Sequence, residues 1–182
     1  MYGLTHPNCK KKYGLDGVMS LFYYNNFLKK VIKAVKYRLA SAVWDDFSRL
    51  IDPTSTLRFS TYISLSDQCV LTPIPLHTDR LKERGFNQAE LICTWLGAYL
   101  HTPTRILISR QLHTHPQAQI HDNAQRHKNV HNAFRLLSKA DIPTSVILVD
   151  DVITTGSTII EATKVLKEAG VKKVFAITIA RG

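Results

Sequence analysis

The sequence predicts an α/β protein built on a mostly parallel sheet flanked by helices. Three observations carry this. Val146–Val149 is a short, continuous aliphatic run, the pattern of a strand buried on both faces. A helical segment from Gly156 through Glu161 and Leu166 to Ala169, stopped by Gly170, separates it from a second aliphatic run at Val174–Ile179. Together these form a β–α–β unit, and further strand and helix patterns alternate upstream of it.

The remaining elements follow in chain order. Residues 1–20 read as irregular, with His6-Pro7, Lys10-Lys11-Lys12, Gly14 and Gly17. From Leu21 the pattern turns helical, and Leu28, Val31, Ile32, Val35 and Leu39 recur at three- and four-residue steps. Lys29, Lys33 and Lys36 fall on another face, the usual place of a solvated helix surface. A second amphipathic segment runs from Val43 to Ile51 and stops at Asp52-Pro53, while residues 54–68 are rich in Ser and Thr and take no assignment. Cys69 to Pro75 reads as a strand leading into a loop. A helix is expected from about Asn87 to Leu100, a strand at Thr104–Ile108, a polar excursion over 110–130, and a strand at Ala133–Leu137. There is no internal repeat. The expected division is an N-terminal appendage, 1–20, and a main domain, 21–182.

Composition fits this plan. A chain of 182 residues, 45% apolar, suits one ordinary domain plus a small appendage. Lys and His interrupt every hydrophobic segment before it reaches membrane-spanning length, so no membrane insertion is expected. The N-terminus lacks the basic–apolar–small order of a signal peptide. Cys9, Cys69 and Cys93 are odd in number and widely spaced, which points to reduced thiols and a cytoplasmic protein. The formal charge is +10, from 24 Lys and Arg against 14 Asp and Glu. Such a balance suits an anionic ligand, a nucleic acid, or both. Lys10, Lys11, Lys12, Lys29, Lys30, Lys33, Lys36 and Arg38 crowd the first fifth of the chain, with only Asp16 opposing them.

The chemistry concentrates after Val149. Asp150 and Asp151 are expected at the carboxyl end of a strand, where open α/β sheets bind ligands. Val152, Thr154, Thr155, Gly156, Ser157 and Thr158 then lead into a helix. Gly156 lets the backbone approach a ligand, and free N–H groups with the helix dipole favour a phosphate. Carboxylates accept hydrogen bonds from sugar hydroxyls, so the whole describes a ribose 5-phosphate pocket. A plain strand–turn–helix needs one capping hydroxyl and no acidic doublet. A second segment, Pro73-Ile-Pro-Leu-His-Thr-Asp-Arg-Leu-Lys-Glu-Arg-Gly-Phe-Asn-Gln-Ala89, sets Arg80, Lys82 and Arg84 in a loop past a strand. Arg forks match phosphate oxygens there. A third holds Ser109-Arg110, His115-Pro116-Gln117-Ala118, Arg126-His127-Lys128-Asn129-Val130 and Phe134, and long polar excursions of this kind are often functional.

Asp150 to Thr158 closely resembles the phosphoribosyl-pyrophosphate (PRPP) signature of type I phosphoribosyltransferases. All three segments in order, with Tyr24, Lys29 and Lys36-Tyr37, resemble the ComF family of competence-associated phosphoribosyltransferase-like proteins, from about residue 6 onward. The resemblance implies a type I phosphoribosyltransferase-like fold with a flexible hood and a reduced N-terminal appendage. It implies that Asp150 and Asp151 hold the ribose hydroxyls and Thr154–Thr158 the 5′-phosphate. Arg80 and Arg84, with Lys82, become candidates for pyrophosphate, and Arg110, Gln117 and Arg126 belong to the hood. Asp150, Asp151, Arg80 and Arg84 are the catalytic candidates. Mg²⁺ is the implied cofactor, bound with PRPP. The acceptor nucleophile and the oligomeric state are not legible.

The chain departs from the family at its start. The family's zinc ribbon has two Cys-x-x-Cys pairs, whereas here His6-Pro-Asn-Cys9 stands for the second and the first is absent. A structural zinc prefers four protein ligands, so no intact zinc site is expected. His127 and His131 share i, i+4 spacing without an accompanying Cys or carboxylate, and solvated or substrate-facing histidines are the better reading. A second function class stays open beside the enzyme: a non-catalytic module that binds single-stranded DNA or a helicase-like competence protein. Phe22, Tyr23, Tyr24, Phe27 and Tyr37 among the lysines are its candidate stacking surface.

Overall fold

The computed structural model describes residues 3–5, 11, 13–37, 49, 51, 53–64, 68–111 and 132–182. Its strands are β1 (Gly17–Tyr23), β2 (Cys69–Pro73), β3 (Ile108–Arg110), β4 (Phe134–Leu136), β5 (Ser145–Ile153) and β6 (Lys173–Arg181). Its helices are α1 (Asn26–Tyr37), α2 (Pro53–Ser64), α3 (Thr78–Arg84), α4 (Gln88–Tyr99) and α5 (Ser157–Glu168). One sheet has the order β1-β6-β5-β2, and every pair in it is parallel. β3 and β4 form a separate antiparallel ribbon.

Strand alternation divides the core into two layers. Ile147 and Val149 of β5 face one way, with Leu71, Phe175 and Ile177, and pack under Leu28 and Ile32 of α1, Phe59 and Tyr62 of α2 and Ile92, Cys93 and Leu96 of α4. Val146 and Leu148 face the other way, with Val174 and Ala176, beneath Ile159, Ala162 and Leu166 of α5 and Ile108 and Phe134 of the ribbon. Both faces of β5 are therefore dry, which is why its sequence is aliphatic without alternation. Tyr62 stacks on Phe175 with centroids 4.4 Å apart and donates its hydroxyl to the Gly3 carbonyl at 3.1 Å. Asp16 is a second tie: its Oδ2 accepts from Lys167 Nζ at 2.6 Å and from the Val174 amide at 2.8 Å.

Several expectations are corrected. Residues 17–23 are neither irregular nor helical but form β1, in register with β6 from Gly17↔Phe175 to Tyr23↔Arg181. The helix starts at Asn26, after Asn25, whose Oδ1 accepts from the Leu28 amide at 2.8 Å. The partner strand lies some 150 residues downstream, so no local spacing reveals β1. The unassigned Ser- and Thr-rich stretch contains α2, with Pro53 at its first position, where a missing N–H costs nothing. Regular pairing in the β3–β4 ribbon covers Ile108–Arg110 rather than Thr104–Ile108, and Thr104 makes a single parallel bridge to Leu71. Most of the segment from Val43 to Ile51 lies outside the described residues.

The expected helix near Asn87 is present and capped by that residue. Asn87 Oδ1 accepts from the Ala89 amide at 3.1 Å, and its Nδ2 donates to the Ile74 carbonyl at 3.0 Å. One buried side chain thus ends β2's extension and starts α4.

Candidate active site

The carboxyl ends of β2 and β5 lie side by side, with Pro73 paired to Val149 and the Ile74 amide donating to the Val149 carbonyl at 2.9 Å. β5 does not stop before the acidic pair. It stays paired with β6 at constant offset to Ile153↔Arg181, so Asp150 and Asp151 sit inside the strand and point to opposite faces. Asp150 shares its face with Val146 and Leu148. Its neighbour across the register is Thr178, and Thr178 in turn faces Ser20. Those two hydroxyls meet at 2.6 Å, so a polar row crosses three strands at the height of Asp150. Both carboxylates are half-buried, and Asp150 Oδ1 accepts from the Asp151 amide at 2.8 Å.

After Ile153 the chain turns through Thr154 and Thr155 into Gly156, at φ 77° and ψ 1°. This left-handed residue is the N-cap of α5, and as glycine it offers the first-turn N–H groups no side-chain acceptor. Thr155 Oγ1 and Ser157 Oγ are bonded at 2.7 Å across the turn. Asp150, Val152, Thr154, Gly156, Ser157 and Thr158 line one small concavity. The acidic strand end and the glycine turn expected from sequence are therefore brought together.

The basic residues are less uniform. Arg80, Lys82 and Arg84 lie not in a loop but on the short helix α3, which His77 caps by accepting from the Asp79 amide. Arg80 and Arg84, four residues apart, share a helix face, whereas Lys82 lies on the other side and is exposed. Arg84 Nη1 donates to Gln88 Oε1 at 3.3 Å and so leans toward α4. Arg110, the last residue of β3, bridges His77 in parallel and pairs directly with Phe134, over whose ring its guanidinium sits at 5.5 Å. Burial and the charge of Arg80 push Arg110 down to about 10, while Asp150 draws it back up. Arg80 and Asp150 therefore both lie close enough to Arg110 to act on its charge, with opposite sign.

Gln117 and Arg126 lie outside the described residues, as do His6, Cys9 and the histidines from His113 to His131. Among the described residues no group of three His, Cys, Asp or Glu side chains gathers in a metal-binding cluster. Cys69 and Cys93 are buried, and their thiols are pushed up to about 11 and about 12 by desolvation, as expected of small core residues. Two contributors were not assigned from the sequence. Phe134 was legible only as a motif residue without a role. Glu161, whose Oε1 accepts from the Asn132 amide at 2.7 Å, ties α5 to the chain entering β4. Neither carries a local signal, because each acts through a partner remote in sequence.

Residues 111–182 match the phosphoribosyl transferase domain family. Together with the parallel sheet and its flanking helices, this defines an α/β protein of the type I phosphoribosyltransferase-like fold. Competence protein F of Haemophilus influenzae is 40% identical over 114 residues, 61% of this chain and 49% of that protein. DNA utilization protein YhgH of Salmonella typhimurium is 32% identical over 174 residues, 90% of this chain and 71% of the relative. Competence protein ComFC of Bacillus subtilis is 30% identical over 159 residues, 83% of this chain and 58% of the relative. The chain belongs to the ComF family. It spans about half the length of the Haemophilus influenzae relative.

Proposed function

We propose that this chain binds PRPP with Mg²⁺ at the carboxyl end of its sheet and transfers phosphoribosyl to an acceptor nucleophile, in a process linked to DNA uptake. The observation that carries this is the meeting of an acidic strand end, a left-handed glycine turn at a helix N-terminus, and two arginines. Asp150, which lines the concavity of the turn, orients the ribose by accepting from its hydroxyls, and the Thr154–Thr158 turn takes the 5′-phosphate on backbone N–H groups; Asp151, on the opposite face of β5, reaches the ribose only by a change at the strand end. The nucleophile forms a bond to C1 of the ribose as the C1–O bond to pyrophosphate breaks, and the pyrophosphate leaves with the electron pair. Positive charge builds on the ribose in between. The protein contributes positioning and neutralisation of the leaving group. The half-buried carboxylate of Asp150, beside the turn, suits Mg²⁺, a hard cation that takes oxygen ligands and keeps several waters. Bound with PRPP, the ion would neutralise phosphate charge.

The test is pyrophosphate release from PRPP and Mg²⁺ against a panel of purine, pyrimidine and pyridine bases. Release with at least one acceptor is expected, and none with any would reject the transfer. Calorimetry with ribose 5-phosphate separates binding from turnover: Gly156→Val should weaken it strongly.

A second reading is favoured by one surface. Tyr23, Tyr24 and Phe27 are exposed beside the exposed Lys29 and Lys30 at the β1–α1 junction. Tyr24 donates its amide to the Arg181 carbonyl at 2.8 Å, and Gly182, next along, lies against both Tyr24 and Thr154. Aromatic rings among lysines suit stacking and phosphate contact with single-stranded DNA. On this reading the chain is a binding module for single-stranded DNA and a helicase-like partner, and the DNA-linked names of its relatives agree with that. DNA titration at two salt concentrations tests it. Lys10 and Lys12, also expected to contribute, lie outside the described residues.

A further inference from the structure

The linear strand order β1-β6-β5-β2 gives the ligand site a direction. On the PRPP reading C1 of the ribose faces the basic residues beyond β2, so the 5′ carbon and its phosphate face the other way, toward β6 and β1. Register aligns Ile153, Arg181 and Tyr23 across the three strand ends there, at spacings of about 4.8 Å. One residue further on, Thr154, Gly182 and Tyr24 repeat the alignment. Gly182 donates its amide to the Ile153 carbonyl at 2.9 Å, and Tyr24 donates its own to the Arg181 carbonyl at 2.8 Å. Gly182 brings no side chain, and the position its Cβ would take is 3.5 Å from Thr154 Cγ2 and 3.9 Å from Tyr24 Cβ. A notch therefore lies between Thr154, which lines the concavity of the turn, and Tyr24, which is exposed. Arg181 is exposed beside it, and among the described residues its guanidinium has no partner. An aromatic face takes a base and a guanidinium takes a phosphate, so notch, cation and ring together suit a nucleotide.

We propose that the site accepts a ribose 5-phosphate whose phosphate carries a second nucleoside through a diphosphate link, with the second phosphate on Arg181 and the second base stacked on Tyr24. The proposal rests on the PRPP reading for the ribose and its 5′-phosphate, and adds a subsite on β6 and β1. A diphosphate fits better than the phosphodiester of a strand, because it sets a second phosphate between the turn and the second sugar, where Arg181 stands.

The experiment is calorimetry on the full chain with ribose 5-phosphate, ADP-ribose and a dT tetramer as probes. ADP-ribose should bind about five- to a hundredfold more tightly than ribose 5-phosphate, the range of a base stacked on an aromatic ring, and should displace it. Tyr24→Leu should remove most of that gain, and Tyr24→Phe, which keeps the ring, should retain it. Arg181→Gln should weaken ADP-ribose by about tenfold, as expected for a charge-assisted hydrogen bond. Ribose 5-phosphate affinity should stay at the wild-type value in all three variants, which also reports that each is folded. ADP-ribose no tighter than ribose 5-phosphate, both bound at once, or a gain that survives Tyr24→Leu overturns the subsite and leaves the PRPP reading standing. A dT tetramer that depends on Tyr24 when ADP-ribose does not also overturns it, and assigns the ring to a strand. If ribose 5-phosphate does not bind the wild type, the PRPP reading falls and the subsite with it.

Discussion

Replacing Gly156 with alanine should destabilise the protein by about 1 kcal/mol, although there is room for the added methyl. The new Cβ would meet Ile153 Cδ1 at 3.6 Å and Ile160 Cδ1 at 3.7 Å, both ordinary contacts. The cost is in the backbone. Gly156 has φ 77°, and a left-handed conformation costs an L-residue about 1–2 kcal/mol. Alanine restricts the unfolded chain more than glycine does, which returns about 0.4–1 kcal/mol. The net loss of about 1 kcal/mol corresponds to a fall in Tm of about 2–4 °C for a chain of this size. The left-handed turn sets the orientation of the first N–H groups of α5, so straining it should lower ribose 5-phosphate affinity by at least about tenfold. Gly170→Ala is the control. It has φ 108° and nothing within 4 Å of the added Cβ, and it sits past the opposite end of α5. It should lose comparable or greater stability and leave ligand affinity alone. Urea unfolding and calorimetry read both quantities. Unchanged stability in Gly156→Ala would refute the strain argument, and lowered stability with unchanged affinity would refute the phosphate site.

Three further outcomes follow from the structure. Asp16→Ala leaves Lys167, largely buried, without its carboxylate and the Val174 amide without its acceptor, so urea unfolding should show a loss of about 2–4 kcal/mol; a loss under about 0.5 kcal/mol would mean the tie is ornamental. The thiols of Cys69 and Cys93, raised to about 11 and about 12, stay protonated at pH 8 and gain thiolate only as pH climbs toward those values. Iodoacetamide at pH 8 followed by peptide mass spectrometry should therefore modify neither in the folded protein and both in denaturant, and native labelling of Cys93 would contradict its burial. Replacing Lys29, Lys33 and Lys36 with Gln should flatten the dependence of single-stranded DNA affinity on salt, with ribose 5-phosphate binding unchanged; an unaltered slope removes the lysines from DNA binding.

The sequence by itself determined the β5–α5–β6 unit and the ligand end of the sheet. A strand dry on both faces must be aliphatic throughout, and a phosphate turn must combine glycine with hydroxyls, so Val146 to Thr158 declares its place through local chemistry alone. Asn87 was legible for the same reason, since a cap acts within its own turn. Only the tertiary structure decided what depends on distant pairing. β1 becomes a strand because β6 supplies its partner, against a helical pattern that begins a few residues later. Asp150 and Asp151 fall on opposite faces because β5 stays paired to Ile153, which the aliphatic run could not announce. Arg80, Lys82 and Arg84 look equivalent in sequence, yet a helix of period 3.6 sends Lys82 away from the other two. Arg110 meets Phe134 across a ribbon whose strands are separated by more than twenty residues, and a single bridge to His77 brings β3 to the start of the helix that carries Arg80. Local chemistry names the groups that can bind an anion, and the long-range hydrogen-bond register decides which of them stand together.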